Sequence, residues 1–78
     1  MLGFVREYKG TICLLDFTPV RLLNFAEDSE DYYYIVENIN GLVEWVSGAI
    51  GLFPLKDVPG YKRIEESFDR KRKKIRGD

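Results

Sequence analysis

The feature that most constrains this chain is a pair of short apolar runs in its second half. Residues 42–46 and residues 49–53 are separated by Ser47-Gly48, and Pro54 follows the second run. Glycine adopts positive φ without a Cβ clash, so the pattern predicts a tight hairpin. Pro54 has no N–H to donate and is therefore predicted to end the second strand. Val58, just beyond, is predicted to form a short closing strand.

Three further segments have the composition of strands or could form one. Residues 11–17 are a β-branched, apolar run between a glycine and a proline, and residues 32–37 combine three tyrosines with isoleucine and valine. Residues 20–25 are too short for periodicity to separate a strand from a turn of helix. Counting Val58, we expect five sequential antiparallel strands, which in 78 residues should close into a small barrel.

The two ends of the chain are predicted to lie outside this barrel. Residues 1–9 show no clear element and are assigned to an N-terminal extension, whereas residues 10–60 form the barrel. After Pro59-Gly60, apolar side chains recur three, four and seven residues apart, Glu65 and Glu66 lie toward the front of the segment, and the run of arginines and lysines lies toward its end. That order suits the helix macrodipole, so a C-terminal helix is predicted over residues 61–75, within a basic extension that covers residues 61–78.

Charge is distributed unevenly along the chain. Residues 1–58 carry four basic and nine acidic side chains, a formal charge of −5, and residues 59–78 carry eight basic and four acidic ones, a formal charge of +4. The basic run at residues 70–76 is either a solvated helix end or a contact for nucleic acid, an acidic membrane or the nuclear import machinery. The candidate contact residues are Arg70, Lys71, Arg72, Lys73, Lys74 and Arg76.

Composition argues against several classes of function. With one cysteine and no histidine, the chain lacks an intrachain disulfide and the usual zinc ligands. Because it also lacks a glycine-rich phosphate loop and an evident desolvated carboxylate pair, we expect no enzyme, no metal or cofactor and no small-molecule substrate. The N-terminus does not resemble a signal peptide, and no run approaches the ~18–20 apolar residues of a membrane span. The expected location is intracellular, in the cytoplasm or alternatively the nucleus.

Four motifs occur in the order and at the approximate spacing of a known family. They are Cys13-Leu14-Leu15-Asp16-Phe17, Leu22-Leu23-Asn24-Phe25, Asp31-Tyr32-Tyr33-Tyr34-Ile35-Val36 and Gly51-Leu52-Phe53-Pro54-Leu55-Lys56-Asp57-Val58. Through them, residues 10–60 resemble a Src-homology-3 (SH3) domain, and the last motif is the most specific. The resemblance implies an all-β, five-stranded barrel of two packed sheets, with a one-turn 3₁₀ helix near residues 55–57.

The SH3 family binds proline-rich peptides in the polyproline II conformation across shallow aromatic grooves. The resemblance places Leu15, Phe17, Leu42, Pro54 and Asp57 at the ligand positions, with Gly41 in place of Leu42 if the alignment has no gap. Only Phe17 and Pro54 keep the family's chemistry. Each lost ring is expected to cost on the order of 1 kcal/mol or more, and affinity is expected to fall by at least about ten-fold per position, so the ligand is not expected to be a standard PxxP peptide.

The acidic segment and the overall function follow from the same resemblance. Family members pair an acidic loop with a ligand arginine, and the candidates here are Glu27, Asp28, Glu30 and Asp31, although the simpler interpretation of these carboxylates is a solvated loop. The implied function is a non-catalytic protein-interaction or scaffold module that binds a peptide or a partner protein. The alternatives are a small barrel that binds nucleic acid through the basic tail and surface tyrosines, and a barrel that serves only as a structural part of an assembly.

Overall fold

The computed structural model describes the backbone of residues 2–76 and the side chains of residues 3–72. Two helices flank five strands along the chain. The elements are α1 (Leu2–Tyr8), β1 (Ile12–Leu15), β2 (Thr18–Glu27), β3 (Tyr32–Glu37), β4 (Val43–Ser47), β5 (Leu52–Pro54) and α2 (Tyr61–Arg76). The prediction of a small, mostly β chain with a five-stranded antiparallel sheet and a C-terminal helix is therefore confirmed. Helix α1 occupies a segment for which the sequence predicted no element.

The strands form one antiparallel sheet in the order β4-β3-β2-β1-β5. Strand β2 is ten residues long, and it pairs with β1 near its start and with β3 over its remainder. A bulge between Leu22 and Asn24 interrupts the second pairing and bends the strand. Strands β4 and β5 lie at opposite edges of the sheet and do not pair. The sheet is therefore open, and the predicted closure into a barrel is not observed.

The predicted hairpin around Ser47-Gly48 is wrong. β4 pairs with β3, whereas β5 pairs with β1, so the two apolar runs lie on opposite edges. Pairing with β1 buries Leu52 against the core, which a local hairpin with the exposed β4 could not do. Glycine is required at position 48 for a different reason, because a Cβ there would collide with the ring of Tyr32.

The short link between the two edge strands requires the sheet to curl. In a flat sheet, five strands spaced about 4.8 Å apart would separate the edges by about 19 Å. The five Cα steps from Ser47 to Leu52 reach at most about 18 Å when fully extended. A turn in which Ile50 N–H donates to the Ser47 carbonyl, at 3.1 Å, shortens this reach further. The two edges must therefore curve toward one another without forming a ladder.

Val58 does not form the predicted closing strand, and no 3₁₀ helix is present at residues 55–57. Residues 55–60 form turns, in which Val58 N–H donates to the Leu55 carbonyl at 3.0 Å. The side chains of Leu55 and Val58 pack into the cluster beneath α2. This packing draws the segment away from the sheet edge. Strand β5 itself supplies the edge beside β1.

The sheet is covered by a helix on each face. On one face, α1 buries Val5 against a cluster that includes Cys13, Leu22 and Val36. Burial raises the pKa of the Cys13 thiol. Tyr34 also lies in this cluster, whereas Tyr33 is only partly buried, as the alternation of strand side chains predicts.

Helix α2 covers the opposite face and crosses three strands. Phe68 is 2% exposed and packs in a cluster with Ile12 and Leu55. The Arg21 guanidinium donates to Asp69 at 2.6 Å and lies 5.7 Å from the centre of the Phe68 ring. Further contacts hold the two ends of the crossing: Ile12 N–H donates to the Tyr61 hydroxyl at 2.8 Å, and Arg72 donates to Glu37 at 3.2 Å. The helix therefore runs from β1, over β2, to β3.

The role of Phe68 can be tested by removing its ring. We expect Phe68→Ala to lower the free energy of unfolding by about 3–5 kcal/mol, because the cavity cannot be filled by a helix and a sheet that are fixed elsewhere. Phe53→Ala is the matched control, since that ring is exposed and its loss should cost less than about 1 kcal/mol. Urea unfolding followed by circular dichroism measures both values. Equal losses in the two variants would contradict the assignment of Phe68 to the core.

Candidate partner-binding site

The turn between β1 and β2 carries an exposed aromatic side chain in a strained backbone. Asp16 and Phe17 are its two central residues, with φ of 49° and 64°. Positive φ at both positions matches the twist of a two-residue hairpin, but such turns favour asparagine and glycine. The left-handed conformation costs roughly 1–2 kcal/mol for other residues. Phe17 is 91% exposed, so its own packing offsets little of this cost. Strain of this kind is typical of positions kept for function.

A second exposed phenylalanine lies beside Phe17. Phe53 is 61% exposed and is the cross-strand partner of Leu14. Together with Asp16 and Gly51, these three side chains line an open cavity of about 400 Å³. The lining is almost entirely apolar, with one carboxylate at its edge. The cavity can therefore accept an apolar side chain from another molecule.

A second cavity lies beside the first on the same face of the sheet, toward α2. Leu14 pairs with Pro19 on β2, and Pro19 lines an adjacent cavity of about 280 Å³ between the sheet and the helix. Ile39, Ile64 and Phe68 form the rest of its apolar lining, and the helix contributes Arg63, Ser67 and Lys71. We call the combined surface the Phe17 groove. It consists of Leu14, Phe17, Pro19, Ile39 and Phe53, bordered by Arg63 and Lys71 on α2.

The basic border of the Phe17 groove has a simple helical origin. Arg63, Ser67 and Lys71 are four residues apart, so they follow one side of α2. Arg63 and Lys71 are exposed, and neither makes an ion pair with any side chain that the structure describes. Arg21 and Arg72, in contrast, are paired with carboxylates. The groove therefore combines an apolar floor with two available positive charges.

Of the ligand positions that the SH3 resemblance predicted, Phe17 alone lies in the Phe17 groove. Leu15 faces the other side of the sheet and lines a separate cavity of about 490 Å³ with Asn38 and Asn40 among its neighbours. Leu42 is exposed in the loop before β4. Pro54 is partly buried and pairs with Cys13, and Asp57 accepts a hydrogen bond from the Tyr8 hydroxyl at 3.4 Å.

Sequence reasoning missed the contributions of Leu14, Pro19 and Phe53 to this surface. The exposure of Phe53 could have been predicted, because strand side chains alternate and its neighbour Leu52 lies on the buried face of β5. The placement of Pro19 opposite Leu14 depends on the register of the β1–β2 hairpin. The sequence interpretation did not treat residues 16 and 17 as a turn.

The acidic segment lies at the other end of β2 from Phe17. Its residues Glu27, Asp28, Glu30 and Asp31 are all exposed. The Asp28 carboxylate accepts the N–H groups of Glu30 and Asp31, at 2.9 and 2.7 Å, and these bonds lower the pKa of Asp28. Its charge in turn raises the pKa of Tyr33. The segment therefore shapes the β2–β3 loop and does not border the Phe17 groove.

The basic candidates divide into three groups. Arg70 and Lys71 are exposed, and Arg72 is occupied by Glu37. The side chains of Lys73, Lys74 and Arg76 lie outside the described residues. Among the described residues, no three or more acidic or cysteine side chains converge in the way that metal ligands do. No helix of the described chain combines the length and apolar content needed to cross a membrane.

Comparisons with protein-family models, with curated proteins and with solved structures find no match for this chain.

The strain at Phe17 predicts an unusual effect of mutation. Phe17→Gly should raise the free energy of unfolding by about 0.5–1 kcal/mol, because relief of the left-handed conformation outweighs the backbone entropy of glycine. Phe17→Ala is the matched control, since it removes the ring but keeps the Cβ and should give no gain. Urea unfolding of both variants measures the difference. A glycine variant no more stable than the alanine variant would show that the turn is not strained.

Proposed function

We propose that this chain is a non-catalytic protein-interaction module that binds a segment of a partner protein in the Phe17 groove. The observation that carries the proposal is the pair of exposed phenylalanines, Phe17 and Phe53, on one apolar cavity. Large exposed apolar surfaces with a concave centre are typical of sites that bind other proteins. Aromatic anchors at such sites supply much of the binding energy.

The chemistry of the groove defines the expected partner segment. An apolar or aromatic side chain fits between Phe17 and Phe53, where it would be removed from water. Beyond it, Arg63 and Lys71 favour acidic residues on the partner, and Ser67 offers a hydroxyl between them. The segment we propose is therefore an apolar anchor followed by one or two carboxylates.

The finer part of the proposal is that the module is a divergent, open SH3-like barrel. It is supported by β2, which is shared between β1 and β3 and is bent by a bulge, as expected when one strand serves two packed halves. The curled sheet and the retention of Phe17 in the exposed groove also favour it. The groove departs from the family in its aliphatic floor and its basic border, so the proposed ligand is not a standard proline-rich peptide.

Nucleic-acid binding is the second candidate, because α2 exposes Arg63, Arg70 and Lys71 and exposed aromatic rings can stack on bases. The groove itself favours protein, since Asp16 borders the two phenylalanines and repels phosphate. Two of the chain's other arginines are occupied by carboxylates.

Selection from a random peptide library displayed on phage tests the first candidate. We expect enriched peptides with an apolar or aromatic anchor next to acidic residues. Phe17→Ala should weaken their binding about ten-fold or more, without lowering the melting temperature. Leu42→Ser is the matched control, because it removes another exposed apolar side chain that lies outside the groove. Binding that is insensitive to Phe17→Ala, or lost in Leu42→Ser, would overturn the assignment of the site.

A salt titration separates the two candidates. We expect only weak binding to a generic single-stranded RNA, with no change on Phe17→Ala. Micromolar or tighter binding that falls steeply as salt rises would instead favour nucleic acid, since each displaced counterion contributes to the slope.

A further inference from the structure

Strand β4 is an open and apolar edge of the sheet. Within residues 2–76 no strand lies on its outer side, and Val43 and Trp45 are 57% and 63% exposed on the face that carries α2. Natural proteins protect such edges with lysine, proline, bulges or a covering segment. Residues 43–47 contain neither lysine nor proline, their one charged side chain is Glu44 on the face opposite Val43 and Trp45, and their pairing with β3 shows no bulge. The edge is therefore chemically suited to pair with another strand.

The hydrogen-bonding groups of this edge follow from its pairing with β3. Asn38 N–H donates to the Leu42 carbonyl and Gly48 N–H donates to the Tyr32 carbonyl, at 2.9 and 2.8 Å. Antiparallel ladders alternate between hydrogen-bonded and non-hydrogen-bonded pairs, so residues 44 and 46 also point their backbone groups toward β3. The backbone N–H and C=O groups of Val43, Trp45 and Ser47 therefore point outward.

These three residues are complementary to a second copy of themselves. In an antiparallel pairing centred on Trp45, each Val43 faces Ser47 of the second copy, and all three outward residues find a partner. Glu44 then faces Val46 of the second copy. A shift by two residues in the direction that pairs Val43 with Trp45 would bring Glu44 opposite itself, and like charges in that position are destabilising. The sequence of β4 thus favours one symmetric register.

Charge supports the same arrangement from outside the strand. Helix α2 runs toward β4, because it contacts Ile12 on β1, Arg21 on β2 and Glu37 on β3 in turn. Glu37 pairs with Val43, so the basic end of the helix approaches the Val43 end of the strand. The last turn carries Lys73, Lys74 and Arg76 in the sequence.

The acidic loop lies at the opposite end of β4. Tyr33 pairs with Ser47, and the charges of Asp28 and Asp31 act on the Tyr33 hydroxyl. In the Trp45-centred pairing, the Ser47 end of one copy lies beside the Val43 end of the other. The acidic β2–β3 loop of each copy is therefore on the same side of the interface as the basic end of α2 of the other copy. The electrostatic attraction between them occurs twice by symmetry.

We propose that two copies of this chain associate through antiparallel pairing of their β4 strands, centred on Trp45, to form a continuous ten-stranded sheet. The inference is independent of the Phe17 groove, which borders the β1–β2 turn and β5. The other edge, β5, is less suited to this pairing, since it has three residues and ends at a proline. Loss of the dimer and loss of peptide binding are therefore separate outcomes.

Sedimentation velocity over a range of protein concentrations tests the association. We expect a monomer–dimer equilibrium that Phe17→Ala leaves unchanged. Val43→Pro removes an outward N–H and should weaken the dimer about ten-fold or more, whereas Val43→Thr keeps the N–H and the branched side chain and should retain it. Trp45→Lys is the second variant, because it places two like charges opposite each other. Circular dichroism melting confirms that each variant is folded.

A charge exchange tests the register. The variant Glu30→Lys/Asp31→Lys and the variant Lys73→Glu/Lys74→Glu should each be monomeric at concentrations where the unaltered chain is dimeric. Mixing the two should restore a dimer, because each loop and the helix end on its side of the interface then again carry opposite charges. Raised salt should weaken this mixed dimer.

Three results would overturn the proposal. One is a monomer at every concentration tested, and another is a dimer that survives both Val43→Pro and Trp45→Lys. The third is an assembly larger than two, which would indicate head-to-tail pairing of β4 with β5.

Discussion

The anchoring of α2 on the sheet is the constraint on which most of this structure depends. Phe68 fills the space over Ile12, and Arg21 holds the helix through Asp69 while covering the Phe68 ring. A half-buried arginine is costly to desolvate, so its pairing with a carboxylate fixes where along the strand the helix can lie. That position leaves the strip from Phe53 to Ile39 uncovered beside the helix. The Phe17 groove is this uncovered strip.

Because α2 is anchored there, the two helices cover the centre of the sheet but not its β4 edge. The start of β1 and the adjoining part of β2 lie between α1 and α2, and Ile12 and Cys13, which face opposite sides of the sheet, are both fully buried for that reason. Strand β4 has no helix over it and is exposed at nearly every position. Stability is therefore expected to be concentrated in the centre of the sheet, while the surfaces proposed for binding lie at its edges and turns.

The sequence predicted those elements whose signals are local. The strand at residues 32–37 and the helix after Pro59-Gly60 are confirmed, because alternation and helical spacing report directly on their buried faces. The pairing of β5 could not be predicted, since the paired residues of β1 are 37 to 41 positions away and the nearby Ser47-Gly48 resembled a hairpin turn. The candidate site was predicted only at Phe17. Its other members meet through the β1–β2 register and the docking of α2, neither of which has a local signature.

The four-residue link between the two edge strands has a mechanical consequence. Because it is too short to join the two edges of a flat sheet, it acts as a tether that keeps the sheet curved. Its length sets how far β4 can lie from β5. A longer link would let the sheet unroll toward a flatter shape and would let β4 move away from β5. Loop length is therefore, in this protein, a determinant of the curvature of the sheet.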